Sequence, residues 1–343
     1  MPATTQEKAA VGGNYDCCTS RGSMIAYDAL SGKRLWQRYL VSEPKFRGLS
    51  KIGSKLYGPS GAGIWSSPAI DAKRGLLLFA TSNNYSSPAT KTSDAVIAMN
   101  LKSGRIKWTY QATVDDAWNL GCLLPGGSIC PKENGADYDF GAAIILVRAS
   151  DGREFILAGQ KSGWVYGLNP DDGNLLWKTK VGRGGFLAGV HFGMAAGGNA
   201  LYVPISDAPD GQTYTEHAKL GLYALDIRTG EFLWKAPNGA GVCQGRPAGC
   251  DPGIASPVTV SEDLVLSGGN GGRLRIHAAQ SGNILWQFDT TQTLVTVGGG
   301  VATGGSIGGG AGPLVYDGTL LVESGYAFAG RIPGNLLLVF EAQ

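Results

Sequence analysis

Charge is scarce in this chain. Asp, Glu, Lys and Arg make up only 16% of its 343 residues, and the formal net charge is +2. So few cations cannot form a basic stripe, and nucleic acid is therefore not an expected partner. Histidine is rarer still: His191, His217 and His277 are the full set, and none stands near a cysteine pair. No two cysteines have the C-x-x-C spacing, so neither a zinc centre nor c-type haem attachment is supported. No apolar run reaches the length of a transmembrane segment. The opening M-P-A-T-T-Q-E-K-A-A lacks the basic and apolar regions of a secretory signal. Glycine-rich tracts such as G-G-G-V-A-T-G-G-S-I-G-G-G-A-G lack the strand–helix alternation of a dinucleotide fingerprint.

Glycine itself is abundant, with 54 residues, about twice its usual share of about 7%. It follows no G-x-y period, and 43% of the chain is hydrophobic, so many short strands and tight turns are expected rather than collagen or disorder. The length suits one large domain or two ordinary ones. The six cysteines fall as three local pairs, Cys17/Cys18, Cys122/Cys130 and Cys243/Cys250. Three short disulfide loops formed in an oxidising compartment is the reading this favours. With no signal in view, that reading implies a chain trimmed or truncated at its N-terminus. Cys17 and Cys18, in N-Y-D-C-C-T-S-R-G, leave two options: a strained ring around one peptide unit, or two free thiols.

One phrase recurs five times. Y-D-A-L-S-G-K-R-L-W ends at Trp36 and M-N-L-K-S-G-R-I-K-W at Trp108; L-N-P-D-D-G-N-L-L-W, L-D-I-R-T-G-E-F-L-W and H-A-A-Q-S-G-N-I-L-W end at Trp177, Trp234 and Trp286. A glycine (Gly32, Gly104, Gly173, Gly230, Gly282) always sits four residues before the tryptophan. Asp28, Asn100, Asn169 and Asp226 stand four before that glycine, with Ala278 as the exception. This is a hairpin signature: a strand, an Asx turn closed by glycine, and a return strand carrying the indole. The tryptophans are 72, 69, 57 and 52 residues apart, about one four-stranded sheet per interval plus insertions in the first two. Repeats of this size predict an all-β protein, a β-propeller with an indole packed between neighbouring blades. Five motifs and the closing strand G-N-L-L-L-V-F (Gly334 to Phe340) give five or six blades. The first blade lacks part of its sheet, so a partner or a lost segment is expected to cover its edge, unless the ring closes at an unusually small number.

The spelling of the motifs goes further. R-G-S-M-I-A-Y-D-A-L-S-G-K-R-L-W, C-C-T-S-R-G-S, G-P-S-G-A-G-I-W-S-S-P, D-D-A-W-N-L-G-C, A-G-Q-K-S-G-W-V-Y and the closing S-G-Y-A-F-A-G-R-I-P-G-N-L-L-L-V-F together resemble the quinoprotein alcohol dehydrogenases. Those enzymes use pyrroloquinoline quinone (PQQ) and a metal ion. The match is strongest to their polyvinyl-alcohol dehydrogenase-like branch and spans Cys17 to Phe340. The resemblance implies a single PQQ-type propeller domain over residues 1–343, truncated at its N-terminus and holding five to six of typically about eight blades. It implies a periplasmic location and PQQ with Ca2+ or a lanthanide as cofactors. A secondary or polymeric alcohol would be the substrate. The haem c domain often found in this branch is not in view, so an external acceptor such as a c-type cytochrome would take the electrons.

The resemblance also distributes roles. Trp65, in the turn G-A-G-I-W, would lie on one face of the quinone, and an extra core indole is the bland alternative. The Cys17–Cys18 ring would lie near the cofactor or simply lock a loop, and Arg21 joins the cofactor-binding set. Asn83, in F-A-T-S-N-N-Y-S, would supply an amide oxygen to the metal, with Asn84 as a substitute and a plain turn as the alternative. Glu7 lies about where relatives place a metal-binding Glu. Methanol-type relatives carry an Asp where this chain has Asn119, and an amide cannot act as a general base. After the loop C-L-L-P-G-G-S-I-C comes G-A-D-Y-D-F-G, in which Asp137 takes the base's place. Asp139, two residues on, shares the same face of an extended segment, so the pair could share a metal or divide the two roles. A solvated acidic turn is the alternative, and Asp116 competes as base. Lys161, in G-Q-K-S-G, would stabilise the reduced quinone. Cys243–Cys250 would staple a rim loop, and His191 in A-G-V-H-F-G would line the pocket or pack. Two rivals keep the fold without the chemistry: a propeller scaffold of the outer-membrane assembly type, and an inactive truncated relative.

Overall fold

Every repeat turn joins two consecutive strands, as its sequence predicts. The pairs are Ser23–Tyr27 with Arg34–Tyr39, Ala95–Asn100 with Ile106–Gln111, Trp164–Leu168 with Leu175–Lys180, Gly221–Asp226 with Phe232–Pro237, and Arg273–Ala278 with Ile284–Asp289. The Asx residue fixes the turn by satisfying backbone donors that the reversal leaves open. Asp28 Oδ1 accepts from Ser31 N at 2.8 Å, Asn100 Oδ1 from Ser103 N at 2.9 Å, Asn169 Oδ1 from Asp171 N at 2.9 Å and Asp226 Oδ1 from Arg228 N at 2.7 Å. The fifth turn has Ala278 instead and so lacks the side-chain acceptor; a different bond holds it, His277 Nδ1 donating to the Gly282 carbonyl at 3.0 Å. Its Nε2 then accepts from the Ser267 hydroxyl at 3.1 Å, and burial holds the imidazole pKa below its ordinary value.

The repeat glycine and the repeat tryptophan serve each other across successive motifs. Gly104, Gly173, Gly230 and Gly282 all have left-handed φ, between 64° and 75°, which glycine alone adopts without strain. A Cβ on them would stand 2.7, 2.5, 2.4 and 2.6 Å from the rings of Trp36, Trp108, Trp177 and Trp234. Each motif's indole thus lies flat on the next motif's glycine. Its N–H closes the joint, Trp36 donating to Leu101 O, Trp177 to Ile227 O and Trp234 to Ala279 O. Trp286 has no further glycine turn, and its ring packs against Phe288 and Phe340 instead.

The computed structural model describes residues 1–9 and 15–341. It contains six blade-like sheets in chain order. The first has three strands, built when Pro2–Ala3 pairs with Ser23–Tyr27; four four-stranded sheets follow; the last again has three, Leu314–Tyr316, Thr319–Ser324 and Leu336–Glu341. The sequence reading of five or six blades therefore resolves to six sheets. Contacts gather the chain into two compact units, Met1–Leu146 with Leu168–Leu175, and Val147–Gly167 with Leu176–Gln343. The first is centred on Met24, Phe79, Ile97 and Met99, with Trp36 packed against them. In the second, Leu222, Ala224 and Val265 form one cluster and Leu274, Ile307 and Val322 another. No helix among the described residues is long and apolar enough to cross a membrane. All three cysteine pairs are disulfide-bonded.

Candidate active site

The site grows from the segment after strand Leu76–Ala80. Ser82 is stitched to the glycine-rich turn: Gly63 N donates to Ser82 Oγ at 2.9 Å and Ser82 N to the Gly63 carbonyl at 2.8 Å. A Cβ on Gly63 would lie 2.2 Å from Thr4 Oγ1 and 2.9 Å from the Tyr85 hydroxyl, so the close approach requires glycine. Two residues on, Trp65 is half-buried. Asn83 is fully buried; its backbone N donates to Asp139 Oδ1 and its Nδ2 to the Trp118 carbonyl, both at 2.9 Å. Its Oδ1 is buried with no hydrogen-bond partner. Asn84 differs, because its Nδ2 donates to Ser60 O and its Oδ1 accepts from Thr90 N and Oγ1. It is the turn-holding amide of the two.

Four carboxylates gather around Asn83: Asp94, Asp116, Asp137 and Asp139 are each at most 1% exposed. Asp116 accepts from Asp137 N at 3.2 Å and Tyr138 N at 2.9 Å, which sets the D-Y-D segment against it. Its pKa is nevertheless pushed up to about 6, because burial outweighs those bonds and the charges of Asp137 and Asp139 add to it. Both oxygens of Asp94 are buried without a hydrogen-bond partner. Burial, and then the charges of Asp116, Asp139 and Asp137, hold that carboxyl well above its ordinary range. Lys8 reaches into the cluster, its Nζ 2.7 Å from Asp137 Oδ1 and 2.6 Å from Asp139 Oδ2. Burial opposes the charge on Lys8, but the two carboxylates prevail and keep its pKa well above the ordinary lysine value.

Tyr85 connects this cluster to the vicinal disulfide. Its ring lies 5.9 Å from Lys8 Nζ and packs with Cys17, Cys18 and Ile129 in one buried group. Ile129 belongs to the loop closed by Cys122–Cys130, so the two disulfides are braced against each other. Asn119 locks that arrangement: its Nδ2 donates to Tyr85 O and Ile129 O, both at 2.9 Å, and its Oδ1 accepts from Gly121 N at 2.8 Å. Every polar atom of this amide is committed to the fold. A cavity of about 420 Å³ opens alongside, lined among others by Cys17, Leu56, Tyr57, Pro88 and Ile129, with Arg47 and Lys132 at its polar parts.

The other expected residues are placed as follows. Glu7 turns away from Lys8 and accepts from Thr19 N, Ser20 N and the Tyr15 hydroxyl, anchoring the chain just after the disulfide. The Arg21 guanidinium donates to the Val41 carbonyl and stacks 3.7 Å from the Tyr39 ring centroid. Lys161 belongs to the second unit; it is 4% exposed, in the turn after strand Glu154–Gly159, and its carbonyl accepts from Gly185 N at 3.2 Å. His191, in the same unit, is buried with its ring edge-on to Phe192. Asn83, Asp137, Asp139 and Asp116 are thus brought together. Sequence reasoning missed Asp94, Tyr85 and Lys8. Asp94 alone left a trace, an acid immediately before the apolar run A-V-I-A-M.

The chain is similar to several known proteins. The family model described as "Glucose/ethanol/alcohol dehydrogenase, beta-propeller domain" matches residues 5–123, and that described as "Outer membrane protein assembly factor BamB" matches 161–292 and 218–332. A polyvinylalcohol dehydrogenase of a Pseudomonas species is 40% identical over 98% of this chain and 53% of its own length. Another, from a Sphingopyxis species, is 36% identical over 95% of this chain and 52% of its own length. The chain thus spans about half the length of these relatives. Among solved structures, a quinohemoprotein alcohol dehydrogenase from Pseudomonas putida superposes with a TM-score of 0.60 at 18% identity, over 94% of this chain and 57% of that one. The fold is a β-propeller, and the chain belongs to the PQQ-type quinoprotein alcohol dehydrogenase family, in its polyvinyl-alcohol dehydrogenase-like branch.

Proposed function

We propose that this chain is a catalytic propeller, both units forming one PQQ-type domain, that oxidises a secondary or polymeric alcohol with PQQ and a hard metal ion. The supporting observation is the buried oxygen set: Asn83 Oδ1 and both Asp94 oxygens have no hydrogen-bond partner, beside the carboxylates of Asp139 and Asp137. Orphaned buried acceptors are costly, and an amide oxygen with carboxylates is the donor chemistry that Ca2+ or a lanthanide takes. The donor chemistry therefore suits a cation of that class, although among the described residues no three acidic, histidine or cysteine side chains are already arranged as a metal cage. The quinone, when bound, supplies the two-electron acceptor for a hydride. Trp65 and the rigid Cys17–Cys18 ring supply flat walls for it, with Arg21 nearby in sequence to the disulfide. Asn83, Asp94 and Asp139 hold the cation, and Glu7 anchors the segment beside them. Asp137 removes the proton from the alcohol hydroxyl. Lys161 would supply the cation that chemistry of this kind calls for. An external acceptor such as a c-type cytochrome, in the periplasm, would take the electrons.

The test is binding of PQQ to the oxidised chain in Ca2+ or La3+, followed by tryptophan fluorescence, with a dye-linked assay on secondary alcohols and polyvinyl alcohol. Metal-dependent quenching that weakens in Trp65→Ala, and turnover abolished in Asp137→Asn with PQQ binding retained, are the expected results. The match of residues 161–332 to an assembly-factor model favours a scaffold as the second reading. Absence of PQQ binding with either metal, in a folded chain, would decide for it.

A further inference from the structure

The short turn Glu7–Ala9 divides its two charged side chains. Glu7 fastens to the backbone after the disulfide, and this fixes where its neighbour points. Lys8 then sends its ammonium between Asp137 and Asp139, 2.7 and 2.6 Å from one oxygen of each, with a side chain only 19% exposed. The bridged carboxylates are those assigned above to the base and the metal. Asp139 Oδ1 accepts from Asn83 N, and Lys8 engages its other oxygen, Oδ2. A compact ammonium and a metal ion both answer the same demand of a buried carboxylate group, for positive charge at short range.

We propose that Lys8 is an intramolecular counter-cation that competes with the metal: it caps Asp137 and Asp139 in the metal-free chain and is displaced when a divalent or trivalent cation binds. The inference rests on the metal reading above and adds the residue that sets its affinity. Displacement removes from Asp137 one cation whose charge opposes proton abstraction, so cation loading and the state of the base are linked. The linkage is reciprocal, because whatever weakens the Lys8 contact must strengthen cation binding by the same factor.

The experiment uses the full chain and Tb3+ as probe, read by tryptophan-sensitised luminescence, without PQQ or substrate. Lys8→Met is expected to bind Tb3+ about tenfold more tightly than the unsubstituted chain, whereas Lys8→Arg, which keeps the charge, leaves affinity near its original value. In the unsubstituted chain, labelling of Lys8 by an amine-reactive ester, measured by mass spectrometry, should rise severalfold once Tb3+ is bound. This second readout needs no variant to fold. Equal Tb3+ affinity in Lys8→Met and the original chain, or Lys8 labelling that Tb3+ does not change, overturns the competition and leaves the metal reading intact. Binding in Lys8→Met alone supports it in its strongest form. Binding in neither chain overturns the metal reading itself.

Discussion

Asp116 gives the sharpest test of the buried acidic cluster, because substituting it should reverse the sign of its effect with pH. Its pKa is raised from 3.8 to about 6, so between those values the folded chain holds a proton there that the unfolded chain has released. Stability from this group is therefore fully present below about pH 4 and is lost as pH rises through about 6. At about 1.4 kcal/mol per pKa unit, the displacement costs the fold about 3 kcal/mol above neutrality. Asp116→Asn removes that cost but keeps one acceptor where two backbone N–H groups donate, a loss of about 1 kcal/mol. The variant should be about 2 kcal/mol more stable than the original chain above about pH 7, and about 1 kcal/mol less stable near pH 4. Urea unfolding across that range, with a chelator present so that no cation neutralises the cluster, measures both ends. Parallel stability curves for the two chains would refute the argument.

Gly230→Ala should lower stability by about 3 kcal/mol, since alanine is strained at φ 74° and its Cβ would stand 2.4 Å from Trp177; a thermal melt reads the loss, and Gly75→Ala, which meets no neighbour, should lose only the backbone part. His277 is held neutral by burial, so its contribution is lost as pH falls below its unfolded value near 6.5, and His277→Gln should flatten the stability profile between about pH 5 and pH 7. Asn119→Asp, which would put a carboxyl at this position, should not raise turnover. It would turn a carboxylate toward the carbonyls of Tyr85 and Ile129 and destabilise the fold by several kcal/mol, about 3 or more by urea unfolding.

The fold was legible because one physical unit is spelled five times. A positive-φ glycine, an Asx acceptor and an indole are each constrained by local chemistry, so their spacing survives in sequence as a pattern. Where the pattern broke, at Ala278, the turn has lost its side-chain acceptor and is held by a donor one residue earlier, His277. No periodicity reveals that, because it depends on which atom reaches the Gly282 carbonyl. The site was legible only where a motif surrounded it. Asn83, Asp137 and Asp139 stood in segments with recognisable neighbours. Asp94 and Lys8 did not: one reads as a turn acid before a buried strand, the other as an ordinary surface lysine. Both gain their meaning from segments far away in sequence, Lys8 from residues 129 and 131 positions distant.

The same reasoning separates a reactive site from a scaffold. A propeller that only binds proteins at its surface can fill its interior with apolar side chains, and burying an ion pair in place of such packing is often neutral or costly. Here Asp94, Asp116, Asp137 and Asp139 are all buried, and two of them are forced above their ordinary pKa by burial and by one another. For Asp94, whose two oxygens have no hydrogen-bond partner, that destabilisation has no return within the fold. Perturbed carboxylates beside a bridging cation are the condition in which one group can hold metal while its neighbour moves a proton. The Asp137→Asn and Lys8→Met variants divide those two tasks. The first should stop turnover without loosening the cation, and the second should tighten the cation without touching the cofactor walls.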